Sequence, residues 1–509
     1  DLLFKFTLGD GFWNAERTQT GEPLTRQLIV PNQDISLNVQ IKSWRASDVD
    51  PITFNIEIPS SNARQDEIFI QFNADEWTEP IPVWPMGGGD YLYILFAPLN
   101  EGETLGYRFC RNSDCQGAKS LASAQGEIQI EPAATSVDVT IDGWESWSPI
   151  PVETSLTSPV IVPTNPTEYL KFIELTPEMG ASWEVYASLG LTTIAESGAS
   201  AVIFTPRWHL LLEEEYLQPL IGSTPFHYQL KNLLASAASL NLQRGIFPQI
   251  QTADSARDWW NTLSKAEVES SRFQESYSRF LLNYAKTAEL TNSEWLVIGG
   301  KILLPSYETP TPEDGSLPTL SEESEEFWMG LIIEIRSIFS GQILWAAHVH
   351  QEADPIPEFV SELDGIYLMV DGPLAKVNQV DSDTIKSEFN RLIDNHIYEV
   401  YRSTGKPVFV ALAYPSVEGG AKGCLLINQD CANDGLFLPE EMIDYPVDQE
   451  DQLLVYSSIL PVIASRDWIA GTAFRGYQPT VVIQDGSSSI AGKASIGLIK
   501  EWFKQIDNP

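Results

Sequence analysis

The chain is poor in positive charge. Its 509 residues include 31 lysines and arginines against 70 aspartates and glutamates, a formal net charge of −39 at pH 7. A field of that sign repels polyanions, so nucleic acid and anionic membrane surfaces are excluded as partners. Neutral sugars and cations are left, as is a plainly solvated acidic face. Long apolar runs are missing as well: nothing approaches the roughly 18 apolar residues that a membrane span needs. There is no C-x-x-C, no Cys/His cluster with zinc spacing and no D-x-D-x-D-G calcium pattern, so neither a metal nor a cofactor is expected. The acidic stretches LLEEEYL and TPTPEDGSLPTLSEESEEF read as surface loops.

Cysteine is scarce, and what there is falls into two tight pairs, Cys110 with Cys115 in CRNSDC and Cys424 with Cys431 in CLLINQDC. The even count and short spacing predict two disulfide-closed loops and an oxidising compartment, hence a secreted or cell-surface protein. The chain opens at Asp1 in DLLFKFTLGDG and not at Met, as expected of a processed or trimmed product. Its length is too great for one core and fits two or three domains.

Residues 51–147 alternate short β-rich runs with turn residues, as in ITFNIEIP, DEIFIQFNADEW and DYLYILFAPLN, which predicts an antiparallel β-sandwich. An internal similarity extends this reading. The stretch FKFTLGDGFWNAERTQTGEPLTRQLIVPNQDISLNVQIKSW, ending at Trp44, aligns loosely with YRFCRNSDCQGAKSLASAQGEIQIEPAATSVDVTIDGW, ending at Trp144. Residues 1–50 are therefore expected to hold the closing half of a second such module. Its unpaired edges would seek cover, and self-assembly through residues 1–44 is one way to supply it. The motifs ITFNIEIP, FNADEW, YRF and VTIDGW resemble those of starch-binding-type carbohydrate modules. That resemblance implies a sugar-stacking role for Trp77, for which a core tryptophan is the alternative reading.

Residues 148–168, rich in Pro, Ser and Thr, form a predicted linker. From there to residue 509 short apolar strands alternate with helical segments: LKFIEL, SAVIFTP, RGIFPQI, EWLVIGG, GQILWAAHV, DGIYLMV, KPVFVALAY and DWIAGTAF. Eight βα units predict a (β/α)₈ barrel with its site at the C-terminal strand ends. The residues at those ends are Glu174, Trp208, His209, Gln249, Gln251, Lys301, His348, His350, Asp371, Tyr414 and Arg475, an aromatic and polar set suited to a sugar cleft. Trp77, Trp208, His209, Trp345, His348, His350, Tyr414 and Arg475 are the candidate substrate-binding residues.

The segments ESGASAVIFTPRWHL, RFLLNYAKTAELTNSEWLVIGG, FWMGLIIEIRSIFSGQILWAAHV, GKPVFVALAY and DWIAGTAFRGYQP resemble, in order, the barrel of the retaining glycosidases that include the family 113 β-mannanases. Such enzymes use two carboxyl groups about 5 to 5.5 Å apart, one as acid/base and one as nucleophile. By resemblance these fall at the ends of strands four and seven, where this chain has Lys301 and Ala411. Alanine offers no lone pair, and lysine does not replace a glutamic acid without a large pKa shift. Asp371 and Glu352 are the spare carboxylates nearest the site, each a weak candidate catalyst beside its ordinary role as a solvated or salt-bridged loop residue. His348 and His350 share a strand face and, with His209 and Asp371, suit either a metal or acid/base group or plain structural hydrogen bonding.

Three functions fit: an inactive glycosidase-like protein that binds carbohydrate, an active glycosidase with relocated carboxylates, and a structural subunit of an extracellular filament or surface layer. The cysteine pairing is directly testable. Alkylation without reduction, read by mass spectrometry, should label none of the four thiols.

Overall fold

Alternation of apolar and polar residues sets the first of two compact units, which holds residues 1–151. The computed structural model describes residues 2–8, 14–31, 35–58, 67–73, 76–96, 100–112, 114–144, 169–177, 183–211, 216–220, 222–252, 271–300, 322–349, 356–375, 381–422, 426–427, 430–431, 446–481 and 485–507. The linker 148–168, Lys301, His350, Glu352 and Cys424 lie outside the described residues.

Two short strands, β1 (Leu2–Phe4) and β2 (Arg26–Leu28), pair antiparallel at the start of the chain. The sandwich follows as β3 (Ile52–Glu57), β4 (Ile68–Asn73), β5 (Ile81–Pro82), β6 (Trp84–Gly87), β7 (Asp90–Leu95), β8 (Thr104–Arg111), β9 (Asp114–Lys119), β10 (Gly126–Gln129) and β11 (Thr135–Thr140). One sheet runs β11-β3-β7-β6 and the other β10-β8-β4-β5, with β9 beside β8. Phe54, Ile56, Ile70, Phe72, Tyr93 and Phe109 fill the space between them. The expectation of a wholly antiparallel sandwich needs one correction, because β11 lies parallel to β3, from Thr135 opposite Ile52 to Thr140 opposite Glu57. The chain enters β11 from β10 in the opposite sheet, and a crossover of that kind can deliver either direction, unlike a hairpin. A Cys110–Cys115 disulfide ties β8 to β9 as expected.

The N-terminal segment is docked on its own unit by buried polar groups. Asn14 is fully buried; its amide donates to the Ile94 carbonyl at 2.7 Å and its oxygen accepts from the Phe96 amide at 3.2 Å. Two residues on, the buried Glu16 accepts from Arg26 Nε at 2.8 Å and from the Lys42 amide at 3.3 Å, which draws three stretches of the segment together.

The second unit is the predicted barrel. Its chain runs β12 (Leu170–Leu175), α1 (Trp183–Glu196), β13 (Ala201–Phe204), β14 (Arg207–Leu211), β15 (Tyr216–Gln218), α2 (His227–Ser239), β16 (Gln243–Ile246), β17 (Gln249–Thr252), α3 (Ser271–Leu290), β18 (Trp295–Gly299), α4 (Glu322–Ile338), β19 (Gln342–Val349), β20 (Gly365–Val370), α5 (Ser382–Leu392), α6 (Tyr398–Thr404), β21 (Val408–Leu412), β22 (Leu426–Ile427), β23 (Asp430–Cys431), α7 (Gln449–Ala464), β24 (Ile469–Tyr477) and α8 (Ala494–Asp507). The eight strands β12-β13-β16-β18-β19-β20-β21-β24 close on themselves, one for each run read from the sequence. The segment from 382 to 404 bends through a π-helical turn at Ile393–Ile397.

Strands two and three are interrupted where the sequence has proline. Pro206 and Pro248, lacking an amide donor, end the barrel pairing of β13 and β16. The chain beyond each forms a separate three-stranded sheet in the order β15-β14-β17.

The barrel interior is aromatic at its base. Phe172 meets Trp295 at 5.1 Å and Phe409 at 5.5 Å between ring centroids, both edge-on, and is fully buried. Edge-to-face pairs of this kind add to the burial term. Phe172→Ala should therefore cost about 3–5 kcal/mol, read as a lowered urea midpoint with an unchanged slope.

Candidate functional site at the carboxyl ends of the barrel strands

Along each barrel strand every second side chain points inward. The packed interior contains Phe172, Val297, Ala346, Met369, Ala411 and Ala473. Two residues further along each strand come Glu174, Gly299, His348, Asp371, Ala413 and Arg475. The first layers are apolar; this last one carries charge.

Its polar members are joined in pairs. Arg475 Nε donates to Glu174 Oε2 at 3.1 Å, and the Tyr367 hydroxyl donates to the same oxygen at 2.9 Å. Across the mouth His348 Nε2 lies 2.6 Å from Asp371 Oδ1. Glu174 is wholly buried, and Arg475, Asp371 and His348 are 2, 3 and 4% exposed, so solvent screens none of them. Burial works against the Arg475 charge, but Glu174, Tyr367 and Asp371 together outweigh it and raise its pKa. Burial, and then the Glu174 charge, push the Tyr367 phenol well above its usual range. Tyr367 stays a neutral donor. Glu174 Oε1 and Arg475 Nη1 have no hydrogen-bond partner among the described residues, so one acceptor and one donor remain unused.

A third buried pair braces the loop after β24. Lys493 Nζ lies 3.1 Å from Asp485 Oδ2 and donates to the Ser487 carbonyl at 2.8 Å. Burial lowers the Lys493 pKa, and Asp485 opposes that effect. Ser416, just after strand seven, donates to the Asp485 carbonyl at 2.6 Å, while Gln452 of α7 donates to the Tyr414 carbonyl at 2.9 Å and accepts from Ser495 of α8 at 2.6 Å. The loops after strands seven and eight are thus held by one polar network.

Several candidates read from the sequence lie elsewhere. Trp208 belongs to β14, past Pro206; it is buried against Phe280 and Tyr284 of α3 and lines a lateral cavity of about 240 Å³ with Leu220 and His227. His209, also in β14, pairs with the Ser223 hydroxyl at 3.1 Å, and burial followed by the Arg207 charge lowers its pKa. Gln249 and Gln251 lie in β17, opposite Arg207 and His209 of β14. Trp345 alternates with the inward Ala346, so it points outward into an aromatic cluster with Trp328 and Phe359, each 5.0 Å away. Tyr414 is fully buried, its hydroxyl donating to the Gly372 carbonyl at 3.1 Å. Ala411 sits one layer below the mouth, beside Met369 and Ala473. The inward position above it is Ala413, again without a carboxylate.

Sequence reading missed Tyr367 as a member of the site because it sits in mid-strand. Its signal was parity: Tyr367, Met369 and Asp371 are spaced by two on one strand.

Trp77, in the first unit, is 39% exposed. Arg108 lies 4.2 Å from its ring centroid, and Gln71 orients that guanidinium by accepting from Nε at 2.8 Å while donating to the Thr78 carbonyl at 2.6 Å. One face of the indole is thereby fixed on a cation.

No protein-family model and no curated protein matches the chain. In three dimensions it is similar to a GH113 β-1,4-mannanase solved as a complex, with TM-score 0.50 and 18% identity over 66% of this chain and 99% of that one. The barrel has the fold of the GH113 β-mannanases. A second GH113 β-1,4-mannanase structure gives 0.49 at 18% identity over the same shares, and the GH113 β-mannanase AaManA from Alicyclobacillus acidocaldarius gives 0.47 at 15% over 67% and 98%. Identity this low establishes fold and leaves activity to the side chains.

Among the described residues no group of His, Cys, Asp and Glu could hold a metal ion, and no helix is long and apolar enough to cross a membrane.

The Glu174–Arg475 pair makes a sharp energetic prediction. Arg475→Met leaves a buried carboxylate unpaired and should cost about 3–5 kcal/mol, whereas Arg475→Met with Glu174→Leu should recover most of that loss. Urea unfolding of the two variants checks it.

Proposed function

We propose that this chain is a glycosidase-type barrel that binds carbohydrate and does not hydrolyse it by the two-carboxylate route. The observation that carries the reading is strand seven, whose inward positions are Ala411 and Ala413, where a retaining enzyme needs its nucleophile. The sequence has lysine at 301, at the position of the acid/base. Among the described residues the carboxylates at the mouth are engaged: Glu174 by Arg475 and Tyr367, Asp371 by His348. A buried carboxylate neutralised by a guanidinium is a poor attacking group, because its charge is already committed.

Trp77 is the group best placed to meet a sugar: its indole is 39% exposed, held on one side by Arg108, and offers an apolar face of the kind that stacks on a pyranose ring. The fold likeness to β-1,4-mannanases makes β-mannan the first polysaccharide to try. The Cys110–Cys115 disulfide supports placement outside the cell or on its surface.

Incubation with β-mannan, β-glucan or xylan should release no reducing ends. Turnover abolished by Asp371→Asn or Glu352→Gln would overturn this reading in favour of an active enzyme with relocated carboxylates. In affinity electrophoresis through the polysaccharide that retards the protein, Trp77→Ala should weaken retention about tenfold, equivalent to ~1.4 kcal/mol.

A further inference from the structure

The opening segment repeats the closing half of the sandwich, pair for pair. In β1·β2, Leu2 stands opposite Leu28, Leu3 opposite Gln27 and Phe4 opposite Arg26. In β8·β10, Leu105 stands opposite Ile128, Gly106 opposite Glu127 and Tyr107 opposite Gly126. Aligning FKF with YRF and RQLIV with GEIQI superimposes these registers without a shift. The correspondence continues outside the strands. Thr7 bridges Ala15 where Cys110 pairs with Lys119. The Glu16 amide donates to the Phe6 carbonyl where that of Ser120 donates to Phe109, and the Arg17 amide donates to Ser43 where that of Leu121 donates to Gly143.

The two copies differ in what covers them. Leu105, Phe109, Ile128, Ile130, Val139 and Ile141 are each 9% exposed or less. Their counterparts Leu2, Phe6, Leu28, Val39 and Ile41 are all partly exposed, and Val30 is 62% exposed. In the complete module the cover is the opening half: β3 pairs parallel with β11, β4 pairs antiparallel with β8, and their inward side chains close the core. Among the described residues β1 pairs only with β2, and residues 35–42, ISLNVQIK, lie in no strand despite a β-type alternation.

We infer that residues 2–8, 14–31 and 35–44 form a docking surface for an opening half-module of the kind formed by residues 50–96. That occupant is a polypeptide whose first strand runs parallel to residues 35–42 and whose second runs antiparallel to the free edge of β1. A second copy of this chain does not fit the role, because its own residues 50–96 are already paired with its β8 and β11. The matched register specifies direction, register and apolar face of the missing strands together, which is what strand addition requires.

The test is hydrogen exchange on the full chain, with a second copy of residues 48–96 joined through a flexible linker to its N-terminus. Amides of residues 35–42 should exchange at least about tenfold more slowly than in the unextended chain. Val39→Lys should remove that slowing and leave residues 135–140 as protected as before. Titrating the unextended chain with residues 48–96 as a separate polypeptide gives the same readout if the extended chain fails to fold. Exchange of residues 35–42 that changes in neither arm overturns the inference. So does light scattering that finds the unextended chain dimeric with those amides already protected, since the edge would then belong to a second copy.

Discussion

Side-chain alternation inside a closed barrel is the constraint on which the candidate site depends. Once β12 and β24 pair and the sheet closes, each strand has one inward set of residues and no freedom to choose another. The lower sets are apolar and interlock around Phe172, Trp295 and Phe409. Only the set at the carboxyl ends can carry charge without cutting through the core, and there a buried charge must find a polar partner. Glu174 finds Arg475 across the seam between strands one and eight, and Asp371 finds His348 on the neighbouring strand. That pairing separates this mouth from one with two uncommitted carboxylates.

The barrel was legible because each strand is an apolar run bounded by turn residues, and all eight runs became barrel strands. Glu174, His348, Asp371 and Arg475 were legible for the same reason: each stands at the end of such a run, at the inward parity. Trp208 and His209 were misplaced because the residue after a run was taken as the strand end, whereas Pro206 had already broken the barrel pairing and started a second sheet. Trp345 was misplaced by chemistry overriding parity. It stands three residues before His348, an odd spacing that puts the two on opposite faces, yet a tryptophan near a sugar cleft suggests stacking. The contacts of Tyr414 with Gly372 and Gln452 are tertiary and leave no local signal.

In the first unit the internal similarity was visible at the level of a few aromatic and aliphatic positions, and the pairing registers turn it into a geometric one. Closing strands carry the strongest alternation, so they were easiest to align. The parallel placement of β11 beside β3 was not visible, since a strand's direction relative to a partner some eighty residues away depends on how the chain crosses between sheets and not on its own residues. The polar anchors Asn14 and Glu16 were likewise hidden. An Asn in a turn-like stretch reads as solvated, and only the docked chain shows both ends of its amide bonded to β7 and the residue beyond it.

Strand four ends on a backbone that favours glycine. Gly299 and Gly300 have φ of 94° and 114°, a region side chains other than glycine's rarely enter. A Cβ at 299 would stand 2.7 Å from the Trp345 ring and 3.0 Å from the Ala346 carbonyl oxygen, so glycine is required there by space as well as by conformation. A catalytic acid at a strand end is aimed by the extended backbone beneath it, and tolerances there are a fraction of an ångström. Two successive residues of positive φ, Gly299 and Gly300, end that extended path. Among the described residues, the inward positions toward the carboxyl ends of strands four and seven are Val297, Gly299, Ala411 and Ala413, none of them a carboxylate. On the reading proposed above, turnover by two carboxylates would need changes on both strands and not a single substitution.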